Sequence, residues 1–364
     1  MTTDHESAIQ SACKRVYEVA RRTPLMADAT LSQLTGFQVH LKEELFQRTG
    51  SFKIRGAYIK LCRLDPAVGR KGVVTTSAGN HAQGVAYAAH NLGYPSFIFM
   101  PESTPLAKVE ATRHYGAEVV LRGNTFESAF EEARRFQEEE QLTYIHGYDD
   151  WEIIHGAATV GVEIVEDLPD LDAIVCPVGG GGLIAGVALA AKSVRSSATV
   201  IGVQAENAPA AVESFRAQKP VQIYLGPTIA EGIAIKCPGE INLEVIRDHV
   251  DDMVLVSDNE IADAILHLLE RNKLVCEGAG AASVAALLGE KVPNLKSKKV
   301  VAILSGGNID INTLSTIITR GLAKSGRFLR FSVNVIDAPG NLKKLVDEVS
   351  ATKANIIDVL HNRT

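Results

Sequence analysis

The sequence predicts an α/β protein of two lobes, each with a mostly parallel sheet flanked by helices, plus a short C-terminal strand-helix-strand. Three observations lead there. Short β-branched runs alternate with helical segments through most of the 364 residues, as parallel strands covered on both faces do. Polar, glycine-bearing loops follow several of those runs, where open α/β sheets bind small molecules. From Phe328 the pattern changes to the period-two alternation of a half-buried strand.

In order along the chain, Gly72-Val73-Val74-Thr75 precedes a helix expected from about Asn80 to Leu92. Ser96 to Met100 stops at Pro101, and Ala117 to Leu121 stops near Gly123. The charged run Phe126 to Glu140 reads as a solvated helix face. Trp151 opens a long helical segment that leads into the second sheet, and Asp172 to Cys176 runs into four glycines. Thr199 to Val203 and Lys299 to Leu304 repeat the strand pattern. The strands between about 57 and 150 make a small lobe inserted in a large lobe of residues 1–56 and 151–325. Residues 326–364 follow: a strand from Phe328 to Val335, a helix from Leu342 to Ser350 and a second strand from Ala354 to Leu360.

Composition narrows the function. A net charge of −6 offers no basic surface for nucleic acid, and no uncharged apolar run reaches the ~18 residues of a membrane span. Five scattered cysteines, odd in number and without a C-x-x-C pair, read as reduced thiols. The polar start Met1 to Glu6 is unlike a targeting peptide, so a cytoplasmic location is expected. His40, His81, His146 and His155 have no metal-ligand spacing, and no metal is expected.

Lys53, in Thr49 to Gly56, would alone be one more solvated lysine. Three loops change its reading, because a lysine amine can condense with an aldehyde cofactor whose phosphate a glycine loop can hold. Gly179, Gly180, Gly181 and Gly182 follow the apolar run Ala173 to Val178 and open a helix near Leu183, so several amides sit at a positive helix end. A ligand-free tight turn is the ordinary alternative. A sharper rival is a nicotinamide-dependent dehydrogenase, since Gly180-x-Gly182-x-x-Ala185 fits the dinucleotide fingerprint and the next strand ends at Glu206. That rival leaves Lys53, Asn80 and Ser305 without a joint purpose. Ser77-Ala78-Gly79-Asn80-His81 is either a helix cap or a site for a substrate carboxylate, and the Asn80 amide suits a phenolic oxygen beside the aldehyde. Ser305-Gly306-Gly307-Asn308 is either a plain turn before a helix or a neutral hydroxyl at a strand's carboxyl end. Glu277 is a helix-start carboxylate or a cleft acid.

S-F-K-x-R-G, S-A-G-N-H-x-Q-G, G-G-G-G-L and S-G-G-N, in this order, resemble the fold-type II pyridoxal-phosphate enzymes over residues 10–325. Within them the likeness is greatest to the threonine/serine dehydratases, or threonine ammonia-lyases. The resemblance implies that Lys53 carries pyridoxal 5'-phosphate, Phe52 packs against its ring and Asn80 bonds its phenolic oxygen. It further implies that Gly179 to Gly182 with Leu183 take the phosphate, Ser305 faces the pyridine nitrogen, and Gly232 and Glu277 line the cofactor side. Ser77 to His81 would bind the substrate carboxylate, with Ser77 and Lys53 catalytic. The implied reaction is β-elimination: the lysine amine removes the Cα proton, the β-hydroxyl leaves, and a 2-oxo acid and ammonia result. L-Threonine gives 2-oxobutanoate and L-serine gives pyruvate.

Serine racemases share these motifs but by resemblance carry a second serine where this chain has Ala78. Their divalent-metal set is matched by Glu206 and Ala210, whereas Val212 stands where a carboxylate is expected. A β-replacement enzyme such as cysteine synthase is less similar around Ser77 to His81. A non-catalytic amino-acid sensor is more remote. Residues 326–364 resemble the opening half of an ACT domain, an amino-acid-sensing module; a subunit-pairing surface is the plainer alternative. The expected protein is a homodimer or homotetramer acting on a small amino acid, in isoleucine biosynthesis or threonine catabolism.

Overall fold

The computed structural model describes residues 3–292 and 298–360. Among the described residues, ten strands form in two sheets. They are β1 Leu25–Ala27, β2 Gln38–Glu43, β3 Val73–Thr76, β4 Ser96–Met100, β5 Glu118–Leu121, β6 Thr143–Tyr144, β7 Ala173–Pro177, β8 Thr199–Ala205, β9 Asp252–Val256 and β10 Lys299–Leu304. The larger sheet has the order β1-β2-β10-β7-β8-β9 and the smaller β5-β4-β3-β6. Every pairing is parallel except β1 with β2.

Continuous apolar runs suit strands buried on both faces, and the central strands of the larger sheet are so buried. Ala173 and Val175 of β7 pack with Val300, Ala302 and Leu304 of β10 against the helix Gly278–Leu288. Ile174 and Cys176, with Val301 and Ile303, pack on the other face against the helices Trp151–Asp167 and Gly182–Val194. In the smaller sheet the helix Asn80–Leu92 contributes Ala82, Val85, Ala86 and Ala89 to a core shared with Val73 and Ile98. Among the described residues no helix is long and apolar enough to cross a membrane.

The chain divides into two compact units, Met1–Ile318 and Thr319–Thr364. In the second, the helix Asn341–Ala351 forms where the apolar spacing expects one. The two flanking strands do not: residues 328–335 and 354–360 carry no strand. Alternation prepares a segment for a sheet, but a strand exists only when another backbone accepts its ladder bonds. The helix buries none of its residues, so the C-terminal strand-helix-strand expectation is corrected to a helix between segments without regular secondary structure. The loop Ser305 to Asn308 also differs from expectation, because its helix starts only at Ile311.

The helix that begins with Lys53 (Lys53–Cys62) is fixed by charge as well as packing. Arg55 forks onto Glu44 at 2.8 Å and Glu163 at 2.6 Å, and Lys42 joins Glu163 at 2.6 Å, all four side chains fully buried. Burial alone would push the Glu163 carboxyl up, but Arg55 and Lys42 outweigh it and hold it below the usual carboxylate range. Two positive and two negative groups cancel, which lets the set exist in the interior. The same helix crosses Trp151–Asp167 at close range: a Cβ on Gly156 would lie 2.6 Å from the Arg55 carbonyl.

Removing one member leaves a buried charge without its partner. Arg55→Met is expected to destabilise the fold by about 3–5 kcal/mol, seen as a lower denaturation midpoint in urea. An unchanged midpoint would show that the quartet contributes little.

Candidate active site

The site residues lie at the carboxyl ends of parallel strands, where backbone amides and helix starts converge. Ser77 to His81 follow β3, Gly179 to Gly182 follow β7, and Ser305 to Asn308 follow β10. A β-bridge between Ser51 and Gly306, and a bond from the Phe52 amide to the Ser305 carbonyl at 3.1 Å, tie the lysine's turn to the last of these loops.

Lys53 is the first residue of its helix. Its Nζ donates to the Gly147 carbonyl at 2.8 Å and lies 5.3 Å from the centre of the Phe52 ring. Burial pulls the amine down to about 8, against the opposing pull of the Glu277 carboxylate. About a tenth is then neutral at pH 7, against roughly one part in a few thousand for a free lysine.

The four glycines make a cradle that side chains would fill. A Cβ on Gly180 would lie 2.3 Å from the Tyr148 ring, and one on Gly179 would lie 3.1 Å from the Ile233 Cα. Gly181 caps the helix Gly182–Val194 at φ +100°, a left-handed conformation that glycine tolerates, and no side chain caps this helix start. Its first amides are therefore available to an anion. Leu183 turns its side chain into the core, so only its backbone faces this end. Gly232, in the turn Glu231–Ile233, abuts Gly179, and a Cβ there would lie 2.9 Å from the Ala279 Cβ.

Asn80 opens its helix and is held at both ends. Its Nδ2 donates to Glu277 Oε1 at 2.7 Å, while its Oδ1 accepts from Asn308 Nδ2 at 2.7 Å. Asn308 Nδ2 also donates to the Thr49 carbonyl at 2.8 Å. A carbonyl only accepts, so Thr49 settles which way the Asn308 amide faces, and Asn308 settles Asn80. Burial pushes the Glu277 carboxyl up to about 7, and the Asn80 bond limits the rise. Ser77 Oγ accepts from the Gly79 amide at 3.2 Å, and nothing lies within 4 Å of where a Gly79 Cβ would sit. Ala78 packs on the core of the smaller sheet. His81 sits back from the open side: it is buried, and its Nε2 bonds the Ile145 carbonyl at 3.1 Å. Burial, with Lys53 nearby, pushes it down to about 3, so the ring is neutral.

Lys53, Phe52, Asn80, Glu277 and Ser305 are thus joined by direct bonds or backbone ties, and Gly147 and Tyr148 link the lysine to the glycine turn. Sequence reasoning missed Gly147, Tyr148 and Asn308. The S-G-G-N motif contained Asn308, but only its serine had a role.

A cradle of glycines at an uncapped helix start, tied through Gly147 and Tyr148 to a buried, partly neutral amine, fits a phosphorylated aldehyde cofactor. Residues 16–306 match the model of the family described as "Pyridoxal-phosphate dependent enzyme". The chain belongs to that family, and its cofactor is pyridoxal 5'-phosphate. It is 48% identical over 356 residues to the L-threonine ammonia-lyase of Thermotoga maritima, covering 98% of this chain and 88% of that protein. Among solved structures, the processed form of threonine deaminase isoform 2 from Solanum lycopersicum superposes with a TM-score of 0.83 at 37% identity, over 87% of this chain and 93% of that one. Maize serine racemase superposes at 0.82 and 36%, over 88% and 98%.

With its pKa near 8, Lys53 loses its proton as pH rises through that value. The rate at which cofactor-free chain takes up pyridoxal 5'-phosphate, followed by visible absorbance, should rise about tenfold per pH unit and level off above pH 8. A rate still climbing at about pH 10 would contradict the depressed amine.

Proposed function

We propose that the chain is an ammonia-lyase that converts L-threonine to 2-oxobutanoate and ammonia, and L-serine to pyruvate and ammonia. The observation that carries this reading is Lys53, with its lowered pKa, held on the Gly147 carbonyl at 2.8 Å beside the glycine turn. The 48% identity to a protein named L-threonine ammonia-lyase supports it.

When bound, the cofactor supplies a conjugated ring that takes up the electron pair left at the substrate's Cα. The remaining work belongs to the chain. The neutral Lys53 amine accepts the Cα proton, and burial raises the fraction of it that is neutral at physiological pH. Asn80, oriented by Glu277 and Asn308, offers an N–H to the phenolic oxygen. Ser305, 4% exposed, would present a neutral hydroxyl to the pyridine nitrogen, which would leave its protonation unforced. Phe52, whose ring centre lies 5.3 Å from the Lys53 amine, would back the ring. The amides of Gly179 to Gly182 and Leu183 would receive the phosphate, with Gly232 as a wall. Ser77, Ala78, Gly79, Asn80 and the amide of His81 form the end that takes the substrate carboxylate, and the open space beside Gly79 gives it room. Loss of the Cα proton and β-hydroxyl removes one water. Hydrolysis of the resulting enamine returns one and releases ammonia, so atoms balance.

Similarity to serine racemase raises a second reading. Ala78 argues against it, because a methyl group on that loop cannot give a proton to the opposite face of Cα. All five cysteines are free, in keeping with the reducing, cytoplasmic setting that we propose.

Purified protein incubated with L-threonine should form 2-oxobutanoate and ammonia in equal amounts. Lys53→Ala, checked by circular dichroism for an intact fold, should lower the rate by about a thousandfold or more. Turnover near wild type in that variant would refute the assignment.

A further inference from the structure

We propose that Asn242 is the positioning residue of the phosphate cradle, its side-chain amide setting the direction in which the glycine turn presents its N–H groups. The proposal rests on the reading that this turn receives the cofactor phosphate.

Asn242 is fully buried on the helix Glu240–His249. Its Nδ2 donates to the Gly180 carbonyl at 2.8 Å and to the Tyr148 carbonyl at 3.1 Å. Both acceptors are carbonyls, so the orientation of the amide is settled by chemistry. Both of its hydrogens are used, and Oδ1 is left buried without a partner. The site therefore accepts an unmet acceptor in order to hold two carbonyls at once.

The consequence for the turn follows from peptide geometry. The Gly180 carbonyl also accepts from the Gly239 amide at 3.0 Å, so two donors aim it at the helix Glu240–His249. In a planar trans peptide the carbonyl and the following N–H point in opposite directions. The Gly181 N–H is thereby turned away from that helix. A Cβ on Gly181 would lie 2.8 Å from the Asn242 Cβ, so the two are in close contact.

The second tie reaches the reactive amine. Tyr148, whose carbonyl Asn242 holds, follows Gly147, whose carbonyl accepts from Lys53 at 2.8 Å. The same loop anchors the helix that delivers Asn242: Asp149 Oδ1 accepts from the Ile241 amide at 3.0 Å and Oδ2 from the Glu240 amide at 3.1 Å. Asn242 thus joins the phosphate turn to the loop that holds the lysine.

The test compares two ligands on the cofactor-free chain by visible absorbance titration: pyridoxal 5'-phosphate and pyridoxal, which lacks the phosphate. Asn242→Leu removes both donors and should weaken binding of the phosphorylated ligand by about tenfold or more, leaving pyridoxal unchanged. Asn242→Thr keeps one donor and should fall between. It carries the test if the leucine variant fails to fold. Variants that keep the wild-type preference for the phosphorylated ligand overturn the proposal. An equal loss for both ligands also overturns it, because that is general loosening. A wild-type chain without any preference sinks the underlying phosphate reading instead.

Discussion

An amine kept out of water is the constraint on which this molecule depends. Lys53 is useful only while its charge is suppressed, and the suppression comes from burial rather than from a neighbouring cation. A buried amine needs an acceptor, which the Gly147 carbonyl provides. Glu277 works the other way by favouring the charged form, and burial pushes its own carboxyl up to about 7.

The scaffold serves this constraint. Parallel strands deliver three loops to one edge, and the lysine's helix is locked to β2 and to Trp151–Asp167 by the quartet of Lys42, Glu44, Arg55 and Glu163. Arg55 lies two residues beyond Lys53, so a fully buried ion-pair anchor sits next to the reactive group. Such a quartet adds little net stability over apolar packing, but it penalises any other register of the helix. Precision at the lysine is what it supplies.

The parts legible in the sequence are those where local chemistry demands particular residues. The glycine turn after β7 and the S-A-G-N-H helix start could be read because glycine and cap residues leave local signatures. The strands β3, β4, β7, β8 and β10 could be read because two-sided burial leaves unbroken apolar runs. β2 was hidden: Gln38–Glu43 contains lysine and glutamate, which normally signal surface, and only partners such as Glu163, 121 residues away from Lys42, make their burial tolerable. Gly147 contributes only a carbonyl, which no residue type advertises. Tyr148 and Asn242 act through contacts across 94 residues. The segments 328–335 and 354–360 failed in the opposite way. The alternation over 328–335 was genuine, but pairing is a property of two segments and cannot be read from one.

The most direct measurement is to reduce the cofactor-loaded protein with borohydride, digest it and locate the added mass. The account requires loss of the visible absorbance and a single pyridoxyl phosphate group on the peptide containing Lys53. A group carried on another lysine, or a colourless protein with no added mass, would contradict it.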